Sequence, residues 1–287
     1  MSVSRTKLTG QNQQELADMS TPPLALAGKT AIVTGASRSI GYGIALKLAQ
    51  EGANVVLGYT SPSSSSKAAE LKAAIEALPH RPRAHAVQAD LGSLEGPGHL
   101  VSETVRWAGA EGLGGSGSGS GSKIDILVNN AGLERVKGLA ELVVADYDAV
   151  FNVNVRGTML LTQAALPHLG ADARVVNISS VGARAGFKNL GLYCSSKAAL
   201  EGLTRCWAAE LGGNGTTVNV VSPGPVQSEM LDNIPKEIVE MQKQQTPVQN
   251  RLGTIEEIAD VVAWLAGPSS SWITGQTISA SGGWAMY

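Results

Sequence analysis

The chain has 287 residues, 43% of them hydrophobic, which is enough for one substantial core. A formal net charge of -2, a pI near 6.1 and scattered Lys and Arg leave no basic stripe for a phosphate backbone, which excludes nucleic acid as a partner. No apolar signal core precedes the first strand and no apolar run reaches the roughly 18 residues of a membrane span, so membrane is excluded as well and the chain reads as soluble and cytoplasmic.

Residues 1–27 are polar and without periodicity, and are expected to form a flexible arm ahead of a single domain over 28–287. The first strand is TAIVT (30–34), followed by the Gly-rich TGASRSIGYG (Thr34 to Gly43) and a helix whose apolar positions include Ile44, Leu46 and Leu48. Further β-branched runs follow at NVVLGY (54–59), RAHAVQ (83–88), IDILVN (124–129), ARVVNIS (173–179), 216–221 and ITGQTIS (273–279). Seven continuous apolar strands spaced by helical patterns predict an α/β fold, a doubly wound parallel seven-stranded sheet of Rossmann type. His80 and His85 flank a Pro-rich turn and are expected to be solvated loop residues. Residues 112–122 are a Gly/Ser surface loop by composition. Cys194 and Cys206 fall in one predicted helix, roughly 18 Å apart along its axis, too far to bond. With no CxxC or HExxH spacing, no metal site is expected.

Two short stretches carry chemistry. Gly35, Ser37, Arg38, Ser39, Ile40 and Gly41 lie between a strand and a helix, where unpaired N–H groups and the positive end of the helix dipole suit a pyrophosphate. In YCSSK, Tyr193 and Lys197 share a helix face one turn apart. A phenol titrates near about 10, and a neighbouring ammonium favours its charged form, so Lys197 is expected to keep Tyr193 acidic. Between Glu51 and Glu70 no acid occurs, so nothing after strand two would repel a ribose 2′-phosphate, and Tyr59, Ser61 and the serines that follow are available there.

TGASRSIGYG, NNAG (129–132), NVNVRG (152–157), VNISS (176–180), Tyr193 with Lys197, SPGPV (222–226) and ITGQ (273–276) occur together and in order, and the chain from Lys29 onward resembles the short-chain dehydrogenase/reductase family. The resemblance implies Ser180, Tyr193, Lys197 and Asn154 as catalytic residues: Ser180 holds the substrate oxygen, with Ser179 as its support. Lys197 also bonds the nicotinamide ribose, and Asn154 holds a water that links Lys197 to solvent. It further implies cofactor contacts at Asp90, Asn130, Ala131, Gly132, Pro223, Gly224, Val226 and Ser228, and Arg38 matches the basic position of family members that prefer NADP. Ser39 stands where the family's TGxxxGxG pattern has its middle glycine, and Ser281 where an Asp is frequent.

The expected function is therefore an NADPH-dependent reductase of a small ketone or aldehyde, by resemblance a homotetramer or homodimer. A non-reducing NADP-binding scaffold and a relative recruited for cyclisation or isomerisation are the alternatives. Residues 226–250, with Met230, Ile234, Ile238 and Met241 at helical spacing, read equally as a lid and as a helix packed on the core. Trp284, Met286 and Tyr287 are available to line the pocket.

Overall fold

Seven parallel strands, β1 (Thr30–Thr34), β2 (Asn54–Tyr59), β3 (Ala84–Gln88), β4 (Ile124–Asn129), β5 (Leu169–Ile178), β6 (Thr217–Pro223) and β7 (Thr277–Ala280), form one sheet in the computed structural model, which describes residues 24–113, 123–227 and 236–287. Their order across the sheet is β3-β2-β1-β4-β5-β6-β7. The helices are α1 (Ser39–Gln50), α2 (Ser65–Glu76), α3 (Gly96–Ala110), α4 (Val144–Phe151), α5 (Thr158–Ala165), α6 (Gly182–Ala185), α7 (Gly191–Leu211), α8 (Lys236–Gln244) and α9 (Ile255–Ala266).

Both faces of the sheet are buried, which is why its strands are apolar at successive positions rather than at alternate ones. Along β1, Ala31 and Val33 join Ile44, Leu48, Leu71, Val262 and Leu265 on one side. Ile32 points to the other side, where Leu100, Leu161 and Val218 lie. So α1, α2 and α9 cover one face, and α3, α5 and α7 the other. The direction of winding reverses between β1 and β4, the switch point at whose C-terminal edge open α/β sheets hold their ligands.

Several boundaries differ from the sequence reading. Leu26 is 1% exposed and its N–H donates to Glu51 O at 2.8 Å, so the end of the expected arm belongs to the domain. The rest of that arm, residues 1–23, lies outside the described residues, as does 114–122 of the Gly/Ser loop. β7 starts at Thr277 rather than at 273, because Ile273 N–H turns back to Ser270 O (2.9 Å) and Gly275 adopts φ +71. β5 starts early, at Leu169, which pairs with Ile124 before a register shift.

His80 is an exposed turn residue as expected, whereas His85 is not a loop residue. His85 lies in β3 and stacks on Trp107 with centroids 5.5 Å apart, and His80 Nε2 meets Ala49 O at 2.7 Å. NVNVRG forms a π-helical segment, Asn152–Gly157, between α4 and α5, a rare irregularity that frequently marks functional sites. Among the described residues no helix is long and apolar enough to cross a membrane.

Candidate active site

The loop from β1 to α1 is fastened to the end of β4. Thr34 Oγ1 donates to Val128 O (3.3 Å) and accepts from the N–H groups of Asn130 (2.9 Å) and Ala131 (3.0 Å). Asn130 Nδ2 donates back to Thr34 O at 2.8 Å. The Gly-rich loop and NNAG are thus one unit. At Gly41 a Cβ would stand 2.5 Å from Asn130 Nδ2 and closer still to Gly35 O, so only glycine permits this approach. Ser39 sits at φ +51, a left-handed conformation that costs a non-glycine residue about 1 kcal/mol. No side chain caps α1, which leaves its first-turn N–H groups facing the loop.

Arg38 at the N-cap is exposed and has no ion-pair partner among the described residues, whereas Ser37 is buried and Ile40 packs on the core. A cleft brings Gly35, Gly58, Tyr59 and Ala131 together beside Thr34. Ser61 Oγ pairs with Ser63 Oγ (2.8 Å) and Ser64 Oγ (3.1 Å), and the serine run forms a turn leading into α2 rather than a linker. Asp90 is exposed, and one of its carboxylate oxygens accepts from Gly92 N at 2.9 Å. Close backbone approach, uncapped N–H groups and an unpaired cation beside an acid-free strand end fit a phosphorylated dinucleotide.

The first two turns of α7 carry Tyr193 and Lys197. Ser179 Oγ donates to Lys197 O (3.2 Å), tying the helix to the end of β5. Lys197 is 3% exposed and its Nζ donates to Ile178 O at 2.7 Å. Burial brings its pKa down to about 8. A Cβ at Gly132 would lie 3.3 Å from that ammonium, so glycine keeps space open beside it.

The expectation that Lys197 keeps the phenol acidic is corrected here. Its Nζ turns toward the strand carbonyl, 5.7 Å from the Tyr193 ring centroid. Part of the Tyr193 ring stays accessible, yet the packed surroundings dominate and push its pKa up to about 12. Desolvation is the largest cause and a hydrogen bond with Ser180 opposes it, while Glu134 and Cys194 push it further upward. Ser180 Oγ is itself held by Gly182 N–H at 3.1 Å.

Asn154 is fully buried in the π-helical segment, and its amide is committed to protein rather than free to hold a water by both ends. Oδ1 accepts from Leu133 N (2.7 Å), and Nδ2 donates to Leu133 O (2.9 Å) and Ser196 Oγ (2.9 Å). A primary amide matches the N–H and C=O of one residue, so Asn154 clamps the chain just past NNAG.

Opposite this group, Pro223 ends β6 with its carbonyl accepting from Val181 N (3.1 Å). Gly224 N–H bonds Ala280 O (3.0 Å), and Val226 is bridged to Gly253. Ser228, Met230 and Ile234 lie outside the described residues. α8 buries none of its residues, and Ile238 and Met241 are exposed, so packing of this helix on the core is not what its described part does. At the C-terminus Trp284 packs on Phe187 (centroids 5.4 Å), which in turn packs against Gly182. Tyr287 lies under the Arg184 guanidinium (4.0 Å), and Met286 is exposed. Ser281, in place of the frequent Asp, anchors this tail through Ala285 N–H (3.2 Å) and Ser279 Oγ (2.9 Å).

A cavity of about 230 Å³ lined by Pro225, Val248, Arg251, Glu257, Ser279 and Ser281 includes none of the predicted catalytic residues. Two site residues escaped the sequence reading. Thr34 was visible only as the strand end opening the Gly-rich motif, and Glu134 as a carboxylate two places after NNAG.

A family profile described as enoyl-(acyl carrier protein) reductase matches residues 35–285. The short-chain dehydrogenase/reductase FrzI of Cladobotryum sp is 41% identical over 269 residues, covering 91% of this chain and 98% of its own length. Hydroxynaphthalene reductase arp2 of Aspergillus fumigatus is 37% identical over 269 residues, covering 89% and 92%. Among solved structures, a blue fluorescent protein from a metagenomic library in complex with NADPH superposes with a TM-score of 0.81 at 35% identity, covering 91% of this chain and 100% of that one. The angucycline C-6 ketoreductase LanV with bound NADP does so with a TM-score of 0.81 at 34% identity, covering 90% and 96%.

Proposed function

The chain belongs to the short-chain dehydrogenase/reductase family, and on that premise we propose that it reduces ketone or aldehyde carbonyls with NADPH. The observation that carries this reading is the convergence of three groups. Ser180 acts on the Tyr193 phenol and favours its charged form, and Lys197 reaches the space beside Gly132 at the edge where the sheet reverses.

The nicotinamide, when bound, supplies hydride to the carbonyl carbon. Gly35 and Gly41 let the loop approach the pyrophosphate, and Arg38 takes the 2′-phosphate. Ser180 orients the carbonyl oxygen and Tyr193 gives it a proton. An alkoxide is a far stronger base than a phenolate, so a phenol near 12 still transfers its proton downhill. Lys197, beside the space that Gly132 leaves open, binds the ribose. Asn154 serves as a positioning residue, fixing Leu133 and the loop behind the substrate. Closure of residues 226–250 over the site and assembly as a homotetramer or homodimer complete the proposal.

The test is consumption of reduced cofactor by the purified protein over a panel of ketones, aldehydes and conjugated enones, with NADPH and NADH compared. Reduction at C=O with a clear preference for NADPH is expected. Equal efficiency with both cofactors would refute the role of Arg38. Reduction confined to the C=C bond of the enones, the chemistry in the matching profile's description, would replace the carbonyl reading.

A further inference from the structure

Glu134 follows directly on the residue that Asn154 holds by both backbone groups, so its Cα is fixed at the edge of the catalytic group. Its side chain is half-buried, and its charge opposes ionisation of the Tyr193 phenol. Among the described residues the carboxylate accepts no hydrogen bond and forms no ion pair, although three cations are near in sequence or space. Arg135 is exposed and directs Nη1 to the Glu134 carbonyl (3.4 Å). Lys137 holds Asp146 by both carboxylate oxygens (2.7 and 2.9 Å). Lys197 is turned to Ile178 O. A half-desolvated carboxylate without a counter-charge is costly to keep, and desolvation raises its pKa accordingly.

We propose that Glu134 is a specificity-determining residue that selects carbonyl compounds carrying a protonated amine close to the carbonyl. The inference rests on the reductase reading, because the selection works through the proton-transfer step. When Tyr193 gives up its proton, the phenolate forms beside the Glu134 carboxylate and is repelled by it. An ammonium on the substrate pairs with Glu134 and cancels that repulsion. It therefore strengthens binding and lowers the barrier together, whereas a neutral ketone meets the full penalty. The same carboxylate thus favours one substrate and hinders the other.

The probes are β-dimethylaminopropiophenone, cationic at neutral pH, and its neutral carbon isostere isocaprophenone, each tested with the wild type and with Glu134→Gln. The wild type is expected to favour the cationic ketone in kcat/KM by about tenfold, the scale of a hydrogen bond to a charged group. Glu134→Gln should abolish that preference, bringing the kcat/KM ratio of the two ketones to about one. A parallel fall for both ketones, or a wild type without preference, overturns the proposal. Calorimetric titration of the same two ketones into wild type and variant in the presence of NADP reads the contact without turnover. A tenfold weaker Kd for the cationic ketone alone supports the proposal even if no reduction occurs, which would count against the reductase reading only. Unchanged Kd values overturn the proposal.

Discussion

Gly41→Ala tests how closely the cofactor loop is built. A Cβ there would fall 2.5 Å from Asn130 Nδ2 and nearer still to the Gly35 carbonyl oxygen, and Asn130 Nδ2 is itself held by donating to Thr34 O and Gly35 O. Backbone must move by close to an ångström, because neither obstacle is a flexible side-chain end. Overpacking that forces backbone shifts costs about 1–3 kcal/mol, or roughly 2–4 °C of melting temperature per kcal/mol for a chain of this size. Gly98→Ala is the control: it lies in α3 with nothing within 4 Å of the place its new methyl would take, and it should stabilise by about 0.5 kcal/mol through helix propensity. Urea midpoints of the cofactor-free variants measure the two changes, and NADPH affinity followed by tryptophan quenching measures the consequence for the loop. The reasoning is refuted if Gly41→Ala is as stable as the wild type and binds NADPH equally well.

The Lys197 ammonium, with its pKa brought down to about 8, is present below that pH and lost above it. The kcat/KM for NADPH, which reports on the cofactor-free protein, should therefore fall as pH rises through about 8. Lys197→Arg should move that limb to higher pH, and an unmoved limb would assign it to another group. Asn154→Ala leaves the Leu133 N–H and C=O and the Ser196 hydroxyl without their partner and should destabilise by about 2–4 kcal/mol in chemical denaturation. A loss below about 1 kcal/mol would show that the clamp on Leu133 is not needed.

The sheet was legible because strands buried on both faces write continuous apolar runs, and β1, β2 and β4 start and stop where those runs do. β7 was misplaced at its start because Ile273 to Gln276 read as strand by composition, while their hydrogen bonds go to Ser270 and Val218 in a turn. The Gly-rich loop and the Tyr193–Lys197 pair stand out by local spacing, whereas Ser180 is singled out by the family resemblance alone. What spacing cannot give is direction. Lys197 one turn from Tyr193 reads as a partner for the phenol, yet its ammonium points to Ile178, a contact across nineteen positions of sequence. Glu134 was invisible for the same reason, since only the fold brings the charge of a loop carboxylate to bear on a helix phenol.

The central claim is that the Tyr193 hydroxyl delivers the proton to the carbonyl oxygen. Ketone turnover by Tyr193→Phe, with NADPH affinity measured in parallel, tests it most directly, because the change removes one hydroxyl and little else. The account predicts a fall in kcat of about a hundredfold to ten-thousandfold with NADPH binding retained. Undiminished turnover by the phenylalanine variant would contradict it.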